Sequence, residues 1–180
     1  HGVNLQYIRD MAVAGFAVAD IEGLIEARDH GVDAHYIERL RQAGYTALKA
    51  QAVVQLRDHG VSAEFIAGLQ KAGYAKLPPE EITRLRDHGV STTWLAMLQK
   101  AGYGAASVDD VLRLAERGVS AEFIAGLQKA GYTRLPVDDI ARLRDHGVSM
   151  DRLAGLQRAG YGQLSVDQLV NLRDHGVSSD

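Results

Sequence analysis

The residues best suited to chemistry form a recurring tetrapeptide, Arg-Asp-His-Gly, of which Arg57-Asp58-His59-Gly60 is one copy. An aspartate can orient a histidine, and histidine is the usual general base near neutral pH. No recurring serine or cysteine nucleophile is in evident partnership with the tetrapeptide. The copies follow one another along the chain at steps of 29 residues, which predicts separations far beyond the ~2 Å of shared metal coordination. The pattern therefore predicts no catalytic residue and no metal site.

A position at a helix end explains these histidines more simply. A cationic side chain beside the last carbonyls of a helix interacts favourably with the negative end of the helix dipole. Arg117 stands where the other copies carry histidine. Arginine keeps the cation and the hydrogen-bond donors but is no equivalent base or metal ligand. We therefore predict that the histidines cap helices and that no cofactor is used.

The residues His30, Asp33 and His35 form the one close cluster of metal-ligating types in the sequence. Their spacing straddles a predicted helix start and lacks the same-face, four-residue spacing of a metalloprotease helix. The chain also has no cysteine, which removes thiolate ligands and disulfides. We predict solvent-facing side chains at this cluster.

Charge and hydropathy exclude several kinds of partner. The net charge is −3, and basic and acidic residues are interspersed, so no basic stripe indicates nucleic acid or an anionic membrane. No apolar run approaches the roughly 18–20 residues of a membrane span, and no signal-peptide pattern is present. The predicted partners are proteins, including further copies of the chain, or a peptide or glycan. The compartment is left open.

These residues are positioned by a 29-residue repeat. The segment VSAEFIAGLQKAGY at Val61–Tyr74 returns letter for letter at Val119–Tyr132. Units begin at residues 1, 30, 59, 88, 117 and 146, and a partial unit covers residues 175–180. Such self-similarity is typical of repeat architectures. We predict a single array over residues 1–180.

Each repeat unit is predicted to contain two short helices. The signals for the first helix are clearest in the third unit. Ser62 can accept a free amide of the first turn. Phe65, Ile66 and Leu69 then lie on one face of a 3.6-residue period. Gly73 can adopt the left-handed conformation that closes a helix. Ser62 and Gly73 therefore predict a helix between them.

The second helix is shorter and is clearest at about Pro136–Asp145 in the fifth unit, because proline is tolerated at a helix start. Gly147 is placed to close it. In the sixth unit, Ser165 and Gln168 predict a capping box. Thirteen of the nineteen glycines occupy the two closing positions of the units.

Helices of about ten residues are marginal alone. Stacked hairpins share a core with their neighbours, which is the principle of a solenoid. We predict an all-α fold, an α-solenoid of six tandem 29-residue helix-turn-helix repeats. A closed helical bundle is the alternative, and the equal linkers and helices argue against it.

Neither end of the array has the polar outer face of a capping repeat. One interpretation is that the ends are cut from a longer array; the other is that they meet further copies and stack into filaments. The candidate end-to-end contacts are Val13, Ile25, Val166, Leu169 and Leu172.

Two aromatic columns recur. The first, in the apolar stripe of the first helix, predicts core packing at Tyr7, Tyr36, Phe65, Trp94 and Phe123. In the second, we predict packed rings whose hydroxyls reach the surface, a residue type suited to interfaces. This column comprises Tyr45, Tyr74, Tyr103, Tyr132 and Tyr161.

Outward Gln-Lys pairs form a periodic polar ladder beside the second column. With these tyrosines, the lysines Lys71, Lys100 and Lys129 predict a face that could follow an extended peptide or glycan. Three further glycines, Gly68, Gly126 and Gly155, fall inside first helices. Glycine costs about 1 kcal/mol there relative to alanine, so we predict close helix contacts at these positions.

Two segments, LRDHGVSAEFIAGLQKAGY (Leu56–Tyr74) and VDDIARLRDHGVS (Val137–Ser149), resemble short helical-hairpin repeats of bacterial proteins. Some of these are similar to the tails of membrane metallopeptidases of the β-lactam-sensor type. The resemblance implies a bacterial accessory or interaction module, and no catalytic residue carries over because the zinc motif is absent. We predict a non-enzymatic scaffold for protein interaction or structural assembly. The alternative is a binding module for an extended peptide or polysaccharide.

Overall fold

The computed structural model describes residues 2–16, 21–162 and 164–176. Within these residues there are twelve α-helices and no strand, which confirms the all-α class. The start of the first unit at residue 1 and residues 177–180 of the partial unit lie outside them. The helices are α1 Leu5–Val13, α2 Ile21–Asp29, α3 Ala34–Gln42, α4 Ala50–Asp58, α5 Ala63–Lys71, α6 Pro79–Asp87, α7 Thr92–Leu98, α8 Val108–Glu116, α9 Ala121–Lys129, α10 Val137–Asp145, α11 Met150–Arg158 and α12 Val166–Asp174.

The predicted starts of the first helices are confirmed by their caps. Ser62 precedes α5, and its hydroxyl accepts a hydrogen bond from the backbone amide of Phe65 at 3.2 Å. In the second unit Asp33 does the same for the amide of Tyr36 at 2.7 Å. A side-chain oxygen at this position satisfies an amide that has no partner inside the helix.

The helix ends are confirmed at the glycines. Gly73 has a φ of 97°, a left-handed conformation that costs glycine little because it has no Cβ. Its amide donates to the Gln70 carbonyl at 3.1 Å, and the Tyr74 amide donates to the Leu69 carbonyl at 2.9 Å. This pair of bonds closes the helix as a Schellman motif. All thirteen closing glycines have positive φ, between 62° and 97°.

The second helices also begin and end as predicted. α10 follows Pro136 and ends before Gly147, whose φ is 64°. At α12 the capping box is present: the Ser165 amide donates to Gln168 Oε1 at 2.8 Å, and the Gln168 amide donates to Ser165 Oγ at 3.2 Å.

The fourth unit departs from the repeat. α7 ends at Leu98, and the segment Gln99–Tyr103 that follows is kinked at Gly102, whose φ is 90°. Gly104 then keeps a right-handed helical conformation. In the third and fifth units the linker instead turns at Lys76 and Arg134, each with a φ of 58°. The fourth unit therefore differs from these two units in the conformation of its linker.

The chain divides into two compact units, residues 1–92 and 93–180. In the first, α1 packs on α3, α3 on α5, α2 on α4, and α4 on α6. In the second, α8 packs on α10, α10 on α12, and α9 on α11. Helices of like position in successive repeats thus pack together within each unit. The solenoid and the single array of six units stay predictions.

The first aromatic column lies in the core as predicted. Tyr7, Tyr36, Phe65 and Phe123 are buried, and Trp94 is half-buried. Polar atoms in this column reach the next repeat: the Tyr36 hydroxyl donates to the Val61 carbonyl at 2.8 Å. Burial raises the pKa of Tyr36 to about 12, so this hydroxyl stays a hydrogen-bond donor at all ordinary pH values.

The helix-interior glycines admit close neighbours, as predicted for Gly68 and Gly126. A Cβ built on Gly68 would lie 2.3 Å from Thr92 Cγ2. A Cβ built on Gly126 would lie 2.2 Å from Met150 Sδ. Separations this short are not tolerated between non-bonded atoms. Gly68 therefore makes room for Thr92, and Gly126 makes room for Met150 at the start of α11.

Candidate functional site

The aspartates of the tetrapeptides do not orient the histidines beside them. Instead, the Nδ1 atom of His30 lies 2.7 Å from the carboxylate of Asp58, and that of His59 lies 2.8 Å from Asp87. In the second compact unit, residues 93–180, His146 pairs with Asp174 at 2.9 Å. Each histidine thus donates to an aspartate 28 residues further on. We call these contacts the histidine–aspartate series.

The cap prediction is only partly right. His88 Nδ1 donates to the Arg84 carbonyl of its own helix at 2.8 Å, and His175 Nδ1 does so to the Asn171 carbonyl at the same distance. In the series, His59 and His146 do occupy C-cap positions, as predicted, but their side chains bond a neighbouring carboxylate, which is a stronger acceptor than a helix carbonyl. The 29-residue repeat places an aspartate 28 residues after each of these histidines, but the sequence does not show that this aspartate, rather than the adjacent one, is the partner.

Arg117 shows what the series needs. Its Nε atom donates to Asp145 at 2.8 Å, again 28 residues on. Arginine can reproduce a cationic donor to a carboxylate but cannot serve as a base near neutral pH. At this position the contact therefore needs only a hydrogen-bond donor, which here links the C-cap of α8 to the end of α10.

The arginines of the tetrapeptides also contact the turn that closes the preceding second helix, a role the sequence did not reveal. Arg57 Nε donates to the Gly31 carbonyl at 3.0 Å, and its guanidinium lies 5.0 Å from the centre of the Tyr36 ring. A guanidinium at this distance is attracted to the ring face. The same stacking places Arg28 over Tyr7, Arg86 over Phe65 and Arg144 over Phe123.

Titration of His30 gives a direct test of the series. The hydrogen bond to the Asp58 carboxylate raises the pKa of His30 above its usual value. The stabilisation from this pair is therefore present below the ordinary histidine pKa and is lost as pH rises through the raised value. We expect Asp58→Asn to lower the pKa of His30 in an NMR pH titration. Asp87→Asn, at the next pair, should leave the His30 curve in place; a parallel shift in both variants would contradict the pairing.

The cluster His30, Asp33 and His35 does not converge. Asp33 caps α3, His30 pairs with Asp58, and His35 is exposed. Among the described residues no group of three or more histidines, aspartates and glutamates is placed to hold a metal ion.

The prediction that the hydroxyls of the second aromatic column reach the surface is wrong for Tyr45, Tyr103 and Tyr132. Each hydroxyl donates, at 2.9 Å, to a backbone carbonyl 32 residues further on. Burial raises the pKa of all three phenols. A partly buried phenol next to an otherwise unsatisfied carbonyl is drawn inward. Tyr74 is buried, and Tyr161 is 61% exposed.

The predicted polar ladder separates into two kinds of residue. Two of the three glutamines bond inward: Gln70 Nε2 donates to the Ala43 carbonyl at 2.6 Å, and Gln128 Nε2 to the Ala101 carbonyl at 2.7 Å. These bonds satisfy carbonyls at the end of the preceding first helix. Gln99 and the lysines Lys71, Lys100 and Lys129 are exposed. The ligand face stays a prediction, and the lysines are its most accessible part.

The candidate end contacts differ in accessibility. Leu169 is only 1% exposed, so its selection as a contact for another chain is wrong: it already packs within its own unit. Val13 is 85% exposed and stands at the position of the lysines. Ile25, Val166 and Leu172 are half-buried.

Within the described residues no helix has the length and apolar content that crossing a bilayer needs. Comparisons with protein families, with curated proteins and with solved structures give no match to this chain. The resemblance to the repeats of the metallopeptidase tails therefore stays a prediction.

Proposed function

We propose that the chain is a non-enzymatic scaffold for protein interaction or structural assembly, built as an α-solenoid of six 29-residue hairpins. One observation carries this proposal: side chains suited to chemistry are used to join successive repeats. In the histidine–aspartate series, His59 caps α4 and Asp87 ends α6, so the pair joins the second helices of successive hairpins.

The same use of polar groups recurs at other positions. Arg113 donates to Asp138 at 2.6 Å and Arg142 to Asp167 at 2.5 Å, each across one repeat. Exposed ion pairs of this kind contribute little individually, typically 0.2–1 kcal/mol. Their value to a scaffold lies in setting the register of one hairpin on the next.

Removal of one whole repeat tests this proposal. We expect a variant lacking residues 117–145 to keep its helix content per residue, because Glu116 then leads into His146 in the same register. Its unfolding temperature should fall, since the stability of stacked repeats is roughly a sum of units and their interfaces. Circular dichroism with thermal unfolding measures both quantities.

The matched control removes residues 117–131, which leaves a second helix without its first. This variant should lose helix content and cooperativity far beyond the whole-repeat deletion, although it removes fewer residues. Equal damage from the two deletions would show that the chain is a closed bundle rather than a stack of hairpins.

A further inference from the structure

The second compact unit ends in an open apolar groove of about 600 Å³. Leu156, Tyr161, Leu164 and Leu172 line it. The exposed surface of these walls is mostly carbon, so water in the groove gains few hydrogen bonds. Such a surface favours a partner that replaces the water with apolar side chains.

Earlier repeats show what covers this surface. Leu172 is half-buried, whereas Leu114 and Leu143, at the same position in the two preceding units, are 0% exposed. Leu156 is half-buried, whereas Leu127 is 1% exposed. Since α8 packs on α10 and α10 on α12, the cover at an internal position includes the following hairpin.

The hydroxyl of Tyr161 also differs in its surroundings from the hydroxyls at the same position in earlier repeats. The hydroxyl of its counterpart Tyr132 donates to the carbonyl of Leu164, and that of Tyr103 donates to the carbonyl of Leu135. Both acceptors lie in the linker of the following repeat. Tyr161 is exposed because no following linker lies beside it in the described structure.

The first compact unit carries the complementary surface. Leu5 is 71% exposed and Ile21 is 48% exposed, and both line an open recess of about 570 Å³ with Ile8 and Ile25. In the second repeat two of these positions are covered: Ile37 and Val54, the counterparts of Ile8 and Ile25, are 4% and 6% exposed, whereas the counterparts of Leu5 and Ile21, Ala34 and Ala50, are half-buried. This is the leading face of a hairpin, the face that packs on the repeat before it.

We propose that the groove at Leu156, Tyr161, Leu164 and Leu172 binds the first hairpin of a second copy of the chain, through Leu5, Ile8, Ile21 and Ile25. The leading face of a hairpin of this repeat is the surface that covers the same positions inside the chain. This proposal rests on the stacked-hairpin scaffold proposed above.

A contact that joins one surface of a copy to a different surface of the next copy is heterologous. It produces an open-ended filament unless the rotation between successive copies closes a ring. We therefore expect the weight-average mass of the 180-residue chain to rise with concentration in light scattering. Leu5→Glu and Tyr161→Glu each change an exposed side chain, so the fold should persist by circular dichroism. Each should weaken association by at least about tenfold, because burial of an unpaired carboxylate is unfavourable.

A mixture of the two variants tests the direction of the contact. Leu5→Glu keeps the groove, and Tyr161→Glu keeps the leading face, so one intact junction remains. We expect each variant alone to be monomeric and the equimolar mixture to form particles of one copy of each. Dimers of a single variant would show a contact between like surfaces and would overturn the proposal.

Val13→Glu is the matched control. Val13 is more exposed than Leu5 but stands at the position of the outward lysines. This variant should assemble like the parent; suppression equal to that of Leu5→Glu would show unspecific apolar association and would overturn the junction. Monomers of the parent at every concentration would also overturn it, while the repeat-deletion experiment would still decide the scaffold.

Discussion

Replacement of Leu143 by alanine should lower the free energy of unfolding by about 2–5 kcal/mol, the usual range for a leucine removed from a closed core. Leu143 is 0% exposed in α10, and α10 packs between α8 and α12. The lost methyl groups would leave a cavity that both neighbours line. Chemical denaturation monitored by circular dichroism measures the loss.

Leu172→Ala supplies the matched control, because Leu172 holds the same repeat position in the last hairpin. Its side chain is half-buried, so truncation removes less buried surface and leaves a site open to water. We expect a loss of about 1 kcal/mol in the monomer, in proportion to the smaller apolar area. A loss equal to that of Leu143→Ala would contradict the inference that a following hairpin completes the burial of this position.

Replacement of Gly126 by methionine should destabilise the chain by about 1–3 kcal/mol, the range for overfilling a packed contact. The Cβ alone would lie 2.2 Å from Met150 Sδ, so two long side chains would compete for one space. The same loss should be measurable as a fall in the denaturation midpoint.

The double variant Gly126→Met with Met150→Ala should recover most of that stability. It recreates the arrangement of the fourth unit, where Met97 and Ala121 line one groove at the same two repeat positions. Measured with Met150→Ala alone, the four proteins form a double-mutant cycle. We expect a favourable coupling of about 0.5–3 kcal/mol; additive effects would show that the two positions do not share a space.

These pairs follow a size rule that connects neighbouring repeats. Gly68 faces Thr92 and Gly126 faces Met150, whereas the larger Met97 stands against Ala121. The segments Val61–Tyr74 and Val119–Tyr132 are identical in sequence, yet they meet different neighbours. Their sequence explains why both are helices; the partner decides what each glycine accommodates.

Local features were determined by the sequence alone. Ser62 and Gly73 predicted the ends of α5, and Ser165 with Gln168 predicted the capping box of α12. Caps, closing glycines and a 3.6-residue apolar period are satisfied within one helix and its adjoining turn. Nothing outside the segment is needed to recognise them.

Only the tertiary structure decided which polar groups meet. His59 bonds Asp87 rather than the adjacent Asp58, and Tyr103 donates to the Leu135 carbonyl rather than to water. These partners lie 28 and 32 residues apart, so their contact depends on the offset between packed hairpins. Apolar periodicity indicates which face of a helix is buried, but it leaves that offset unspecified. The chemistry-bearing residues were therefore visible in the sequence, and their use in joining repeats became visible only when the hairpins were packed.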